Sequence, residues 1–111
     1  MVAGAGERIR QAALRWPGVQ AQPHRFGGEA YLLGGGEIGH RHGDSVVDIP
    51  FPRAVRDELV ASGQAEPHRF TPPGSGWVTV FLRQPSDVDH AIGLLERVYR
   101  ARLKRRQSAR D

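Results

Sequence analysis

Apolar residues at helical spacing open the chain. Four of them stand at positions i, i+3, i+4 and i+7: Ile9, Ala12, Ala13 and Trp16. This spacing places them on one side of a helix, and Pro17-Gly18 directly afterwards is a typical helix stop. The pattern predicts a short amphipathic helix over residues 5–16.

Short β-forming stretches separated by glycines make up residues 19–51. Gly27-Gly28 and the glycines at 34–36 interrupt them, as expected for three or four antiparallel strands joined by turns. A glycine loop that cradles phosphate follows a strand and opens a helix, whereas the glycines at 34–36 have strand-like residues on both sides. A hairpin turn is therefore the favoured interpretation of these glycines.

A second helix and two more strands are predicted after residue 51. Pro52 suits the first position of a helix and Gly63 suits its end, so a helix is expected over residues 52–62. Strands are expected at residues 66–70 and 76–83. The second strand alternates, with Val78, Val80 and Leu82 facing one way and Trp77, Thr79 and Phe81 the other. If helices cover the valine side, the aromatic side lies on an open face of the sheet.

The last predicted element is a long helix with a basic end. Ser86, with Asp89 three residues later, resembles a capping box, and apolar residues follow the helical period to about residue 104. Residues 105–111 are expected to be a basic, disordered tail after a single domain of residues 1–104. The element order α-β3/4-α-β2-α predicts a two-layer α+β fold, with an antiparallel sheet of five to six strands and three helices on one face.

The net charge of +4 is not spread evenly along the chain. Between Arg97 and Asp111 there are seven basic residues and one acid, a sum of +6, so residues 1–96 carry −2. Nucleic-acid binding is therefore a hypothesis for the end of the last helix alone. The basic candidates there are Arg97, Arg100, Lys104, Arg105 and Arg106.

Composition narrows the chemistry further. The absence of cysteine excludes disulfides, thiolate catalysis and cysteine-ligated metals. No apolar run approaches the roughly 20 residues that a membrane-spanning helix needs, and the first residues lack the apolar core of a signal peptide. We therefore expect no membrane contact and a cytoplasmic location. Any metal would need histidine and carboxylate ligands.

Residues 37–52, EIGHRHGDSVVDIPFP, are the segment richest in histidine and aspartate side chains. His40-x-His42-x-Asp44 matches the first part of the H-x-H-x-D-H pattern of metallo-β-lactamase-like hydrolases, which bind zinc. Ser45 stands where that pattern has its last histidine. Two strand histidines do not complete the usual three or four ligands, so we expect no metal at this segment.

The turn within this segment predicts how its two strands pair. Gly43-Asp44 is typical of a two-residue hairpin turn, which would set His40 opposite Val47. One face of the ribbon would then carry Ile38, His40, His42, Ser45, Val47 and Ile49, and the other Arg41, Val46 and Asp48. In this arrangement Arg41 and Asp48 are diagonal neighbours that are able to pair.

The tetrapeptide Pro-His-Arg-Phe occurs twice, at residues 23–26 and 67–70. Its histidines, His24 and His68, could supply further metal ligands. The flanking sequences differ, so the repeat does not indicate an internal duplication. Two edge strands that each begin at a proline explain both copies, and this interpretation is favoured.

Several of these segments together resemble one protein family. They are Gly39-His40 through Pro52, Arg53 to Leu59, Glu66-Pro67-His68, Gly76-Trp77-Val78 and Asp87 to Tyr99. As a set, spanning roughly residues 16–100, they resemble the luciferase-domain family of small bacterial proteins, and the element order is similar to the wider YjbR-like, double-wing group. The first resemblance implies, by its name, light-emitting oxidation. The second implies a sheet of the secretion-chaperone type with three helices on one side, and DNA binding as a candidate function.

Three functions are compatible with these patterns. The favoured one is non-enzymatic binding of a small ligand or a protein partner, including a second copy of the chain as a homodimer, through the open sheet face and the 37–50 hairpin. Its candidate residues are His40, Arg41, His42, Asp48, His68, Trp77 and Phe81. The second is nucleic-acid binding through the arginine-rich C-terminus. The third is a histidine-dependent metal hydrolase or oxidase. The chain carries no flavin or nucleotide motif, so we expect no cofactor, and no residue is assigned as catalytic.

Overall fold

A computed structural model describes residues 1–69, 71–72 and 74–110. The helices are α1 (Ala5–Arg15), α2 (Arg53–Ala61) and α3 (Pro85–Arg110). The strands are β1 (Val19–His24), β2 (Gly28–Leu33), β3 (Gly36–His42), β4 (Val46–Pro50), β5 (Glu66–Pro67) and β6 (Trp77–Phe81). A 3-10 turn, Arg25–Gly27, joins β1 to β2.

In the described part of the chain, all six strands belong to one antiparallel sheet in the order β1-β2-β3-β4-β6-β5. The first four strands follow each other as hairpins, and β6 then pairs with the free edge of β4. The three helices pack on one side of this sheet. The predicted two-layer α+β fold is therefore confirmed. We call the side of the sheet away from the helices the open face.

The hydrophobic core lies between the sheet and the helices. The strands contribute Val47, Ile49, Val78 and Val80, and the helices contribute Ile9, Ala13, Leu59, Val88, Ala91 and Leu95. The Tyr99 hydroxyl donates to the Pro17 carbonyl at 2.7 Å and its ring stacks on Trp16, which fixes the end of α1 against α3. Complete burial of one leucine or isoleucine side chain contributes about 1.5–3 kcal/mol. The predicted outward direction of Trp77, Thr79 and Phe81 is correct, because Val78 and Val80 between them face the helices.

Helix α3 begins where the sequence pattern predicts, but its capping contact and its end differ from the prediction. It begins at Pro85, where the Asp87 carboxylate accepts the backbone N–H groups of Arg83 and Gln84, so Asp87 rather than Asp89 closes the capping interaction. It continues to Arg110, six residues beyond the predicted end at 104. Lysine, arginine, glutamine and alanine are good helix formers, and the sequence holds no glycine or proline there to stop the helix. Of the predicted tail, residues 105–110 are thus helical, and Asp111 lies outside the described residues.

Strand β5 is shorter than predicted. It comprises Glu66–Pro67, whereas the sequence pattern predicted residues 66–70. Pro67, the proline of the second Pro-His-Arg-Phe copy, is the last residue of the strand, and the chain leaves the sheet directly after it. Phe70, the last residue of the predicted strand, lies outside the described residues.

The predicted register of the β3–β4 hairpin is wrong by one residue. His40 pairs with Asp48, and Arg41 pairs with Val47, across a three-residue loop in which the Ser45 N–H donates to the His42 carbonyl. The reason is a tertiary contact, since the carboxylate of Asp44 in this loop accepts the Gly6 N–H at 2.7 Å at the start of α1. Helix α1 has no side-chain cap of its own, and Asp44 supplies one.

A β-bulge also changes the predicted faces of β3. Tyr31 pairs with Gly39 while Leu32 pairs with Glu37, so Ile38 is an extra residue in the ladder. Ile38 is completely buried in the core, and a side chain at Gly39 would overlap Leu95 of α3. The sequence pattern predicted that His40 and Ile38 share a face, and this is wrong. His40 lies on the open face, whereas Ile38 lies in the core.

Candidate functional site

Imidazole, carboxylate and hydroxyl side chains from five segments meet on the open face of the sheet. His24 comes from β1, His40 and His42 from β3, Asp48 from β4 and Thr79 from β6, and His68 follows β5. Four of the five histidines of the sequence lie in this cluster, and the fifth, His90, is on α3, where its Nε2 lies 2.7 Å from the Gln64 carbonyl. We call this set of six residues the histidine cluster.

Two small residues of β2 allow β1 and β3 to share the site. Gly28 pairs with His24 and Ala30 pairs with His40, so β2 places no large side chain between the two histidines. The rings of His24 and His40 stack with centroids 3.9 Å apart. A Cβ at Gly28 would lie 2.9 Å from His42 Nδ1 and 2.6 Å from the Arg41 carbonyl, so the close approach of β3 requires glycine here.

His40 lies at the centre of the histidine cluster and is 7% exposed. Its Nδ1 is 2.9 Å from the Glu37 carboxylate and its Nε2 is 3.0 Å from Asp48 Oδ2. Burial opposes the charged form, but the hydrogen bonds with Asp48 and Glu37 outweigh it and raise the pKa of His40 to about 9. His40 is thus an imidazolium held between two carboxylates at neutral pH.

Asp48 is the buried acceptor of the cluster and is 4% exposed. Thr79 donates its hydroxyl to Oδ1 at 2.6 Å. Burial would raise the pKa of Asp48, yet the hydrogen bonds from His40 and Thr79 lower it below the usual value for aspartate. Three histidine Nε2 atoms surround the other oxygen, Oδ2, at 3.0 Å for His40, 3.5 Å for His68 and 3.7 Å for His42.

His24 differs electrostatically from His40. Burial and the neighbouring charge of His40 both lower the pKa of His24. Its imidazole is therefore neutral at neutral pH and stacks on the charged ring of His40. A neutral imidazole keeps one nitrogen lone pair that can accept a hydrogen bond or bind a metal.

The histidine cluster forms the floor of a groove of about 700 Å³. Its lining is largely apolar and includes Val46, Pro67 and Phe81, and the exposed residues Arg25 and Arg69 also line it. Phe26, another lining residue, is 95% exposed and has a φ of 57°, an uncommon conformation for a residue with a side chain. We call this depression the groove.

A family model described as Luciferase domain matches residues 35–98, which is more than half of the 111-residue chain. The chain belongs to the Luciferase-domain family. No curated protein and no solved structure is significantly similar to it. The matched segment includes His40, Asp48 and His68, whereas His24 precedes it. Within the described residues of this Luciferase-domain protein, no helix has both the length and the apolar character required to cross a membrane.

Most of the predicted site residues of the Luciferase-domain protein come together, but Arg41 does not. His40, His42, Asp48, His68 and Phe81 line the groove. Trp77 lies beside them, with its ring centroid 5.3 Å from that of His40.

The predicted pairing of Arg41 with Asp48 is wrong, because the one-residue change in register turns Arg41 to the helix side of the sheet. There its Nε donates to the Tyr31 hydroxyl at 2.9 Å, and its Nη2 donates to Glu29 at 3.3 Å.

The basic candidates on α3 lie apart from the groove. Arg97, Lys104 and Arg105 line a separate depression beside Pro50–Pro52, and Arg100 pairs with Glu96 on its own helix. Arg106 lies against Gly34 in the β2–β3 turn. These residues therefore form no part of the histidine cluster.

Three residues of the site are absent from the predicted candidates. His24 was interpreted as part of an edge strand, although its shared tetrapeptide with His68 was the available signal. Thr79 lies between Trp77 and Phe81 on the same strand face, which places it on the open face. Nothing in the sequence identifies Glu37, because its contact with His40 depends on the β-bulge at Ile38.

Proposed function

We propose that this Luciferase-domain protein is a binding module that takes a small ligand into the groove on the open face of its sheet. The observation that carries the proposal is the convergence of four histidines and Asp48 at the floor of an apolar-walled groove of about 700 Å³. A concave, mostly apolar site with a few convergent polar groups is the usual form of a small-molecule site. The hydrophobic core that stabilises the fold lies on the other side of the sheet, so the fold does not require polar side chains from five segments to meet on the open face.

The distribution of charge favours a particular class of ligand. Arg25 and Arg69 are two cations that line the groove, and both are exposed. Val46, Pro67 and Phe81 contribute apolar lining. A small molecule with an apolar body and an anionic group fits this lining, with the anionic group beside the arginines and the body against Phe81.

Anilinonaphthalene sulfonate, an apolar anionic dye, is a suitable probe of this proposal. We expect the folded chain to bind it, and we expect Phe81→Ala and Arg69→Ala each to weaken binding severalfold. Arg100→Ala is the matched control, because Arg100 is an exposed arginine on α3 that pairs with Glu96. Melting temperatures of all variants separate lost binding from lost folding. Equal dye affinity in the full chain, Phe81→Ala and Arg69→Ala would contradict the proposal.

Nucleic-acid binding is a second candidate, favoured by the helical extension of α3 to Arg110. Arg97, Lys104 and Arg105 lie at i, i+7 and i+8 on one side of this helix and line the same depression. Binding through them would weaken steeply with salt. The test is a triple alanine variant of these three residues, because deletion after Glu96 would remove buried Val98 and Tyr99 from the core. Unchanged DNA affinity in the triple variant would exclude this surface.

We also propose that two copies of the chain associate through the open face, where Phe81 and Trp77 lie. A cytoplasmic location and a relation to the YjbR-like group are further proposals. Light scattering on the full chain and on Phe81→Ala tests the association, since a homodimer through this face would dissociate more readily in the variant. Cell fractionation tests the location.

A further inference from the structure

We propose that His40, His68 and Asp48 form a binding site for a divalent first-row transition metal ion at the floor of the groove. The site would exist without any organic ligand, so it goes beyond the proposed binding function. Its two histidine ligands, His40 and His68, are the histidines of the cluster nearest to Asp48 Oδ2.

The distances between the donor atoms fit metal coordination. Metal–nitrogen and metal–oxygen bonds of about 2.0–2.2 Å place neighbouring donors about 3.3 Å apart in a tetrahedron and about 2.9 Å apart in an octahedron. Asp48 Oδ2 is 3.0 Å from His40 Nε2 and 3.5 Å from His68 Nε2. Each of the three residues offers one ligand atom that lies within 4.8 Å of a ligand atom of the other two. The contact with His68 is too long for a good N–H···O hydrogen bond, yet it has the right length for one edge of a coordination shell.

A second set of contacts orients two of these ligands. Glu37 accepts a hydrogen bond from Nδ1 of His40, which leaves Nε2 directed at the metal position. Thr79 donates to Asp48 Oδ1, which leaves Oδ2 directed at the same position. Carboxylate partners behind metal-binding histidines, and hydrogen bonds to metal-binding carboxylates, are the common way in which proteins hold such ligands in place.

Two acidic side chains at the floor also favour a cation. The Glu37 and Asp48 carboxylates flank the His40 ring at 2.9 Å and 3.0 Å, and Asp48 is 4% exposed. A divalent ion between His40 Nε2 and Asp48 Oδ2 would be bound by a buried carboxylate oxygen and an imidazole nitrogen, both of which are common ligands of such ions.

Two histidines and one carboxylate leave coordination positions open. This ligand set is used for catalytic zinc and for non-haem iron(II), both of which keep positions for water or a bound molecule. Because His40, His68 and Asp48 all line the groove, the open positions would face its interior. His42, whose Nε2 is 3.7 Å from Asp48 Oδ2, borders the same space.

A competing ligand set has to be distinguished. His24, His40 and His42 also bring three donor atoms within 4.8 Å of one another. This set has no carboxylate, and two of its members are only partly buried. We assign the metal to the set with Asp48 because a buried carboxylate binds a dication more strongly than a third neutral imidazole on electrostatic grounds.

The test is calorimetric titration of the full chain, purified without an affinity tag and stripped with a chelator, using Zn²⁺ and Co²⁺. We expect one ion per chain and visible d–d absorption for Co²⁺. His68→Ala and Asp48→Asn should each weaken Zn²⁺ binding by more than about tenfold, and Glu37→Gln, which alters a positioning residue, by about tenfold. His90→Ala is the matched control, because His90 lies on α3 outside the cluster, and it should leave the affinity unchanged.

Circular dichroism confirms that each variant is folded, and His68→Ala keeps the test valid if Asp48→Asn does not fold. The proposal is overturned if the folded full chain binds neither ion. It is also overturned if His68→Ala binds Zn²⁺ as tightly as the full chain, or if His24→Ala abolishes binding while His68→Ala does not. Dye binding measured with chelator present reports on the groove separately, so the failure of one proposal does not imply failure of the other.

Discussion

Replacement of Thr79 by valine tests how firmly Asp48 is held at the floor of the groove. The Thr79 hydroxyl lies 2.6 Å from Asp48 Oδ1, and the two side chains are among the most buried on the open face. Valine has nearly the shape of threonine, so the substitution removes the hydrogen bond and leaves the packing intact. One oxygen of a buried carboxylate then loses its donor.

The size of the effect follows from this geometry. A hydrogen bond to a charged group contributes about 1.5–3 kcal/mol to stability. We therefore expect Thr79→Val to lower the free energy of unfolding by that amount. For a domain of this size, at about 4 °C per kcal/mol, the melting temperature should fall by about 6–12 °C.

Guanidinium denaturation with chelator present measures this free energy without any contribution from bound metal. Thr79→Ser is the control, because it keeps the hydroxyl group and removes only a methyl group. We expect the serine variant to lose less stability than the valine variant. A valine variant within about 0.5 kcal/mol of the unaltered chain would refute the reasoning, since surface substitutions produce effects of that size.

Three further substitutions test the contacts that shape the site. Asp44→Ala should cost about 0.5–2 kcal/mol in chemical denaturation, because it removes the acceptor for the Gly6 N–H at the start of α1, and an unchanged stability would contradict this. Gly28→Ala should destabilise the chain and shift the histidine ring resonances in NMR spectra, because its Cβ would lie 2.6 Å from the Arg41 carbonyl; unchanged spectra would show that β3 does not approach so closely. Tyr31→Phe should cost about 1–3 kcal/mol, because it leaves Nε of Arg41 without its acceptor on the helix side, and full stability in this variant would argue against that buried contact.

The sequence alone located the elements because their patterns are local. Ile9, Ala13 and Trp16 at helical spacing predicted α1 to within one residue at its end, and the alternation around Val78 and Val80 predicted which side of β6 is open. Each of these signals depends on residues a few positions apart, and the burial of one face decides them.

Most residues of the site were predicted, but its geometry was not, because the geometry depends on contacts between residues that are distant in the sequence. The hairpin register is set by Asp44 reaching the start of α1, and no turn rule includes that contact. A change of one residue in register moves every side chain of a strand to the other face, so Asp48 moves to His40 and Arg41 moves away from it. The convergence of His24 on β1 with His40 on β3 depends in turn on the absence of a large side chain at Gly28, on the strand β2 between them.

A crystal structure of the Zn²⁺-loaded chain, with anomalous data collected at the zinc absorption edge, tests the proposed metal site at His40, His68 and Asp48. We expect one strong anomalous peak per chain, about 2.0–2.2 Å from His40 Nε2, His68 Nε2 and Asp48 Oδ2. A peak elsewhere on the protein, or a loaded crystal with no peak between these three residues, would contradict it.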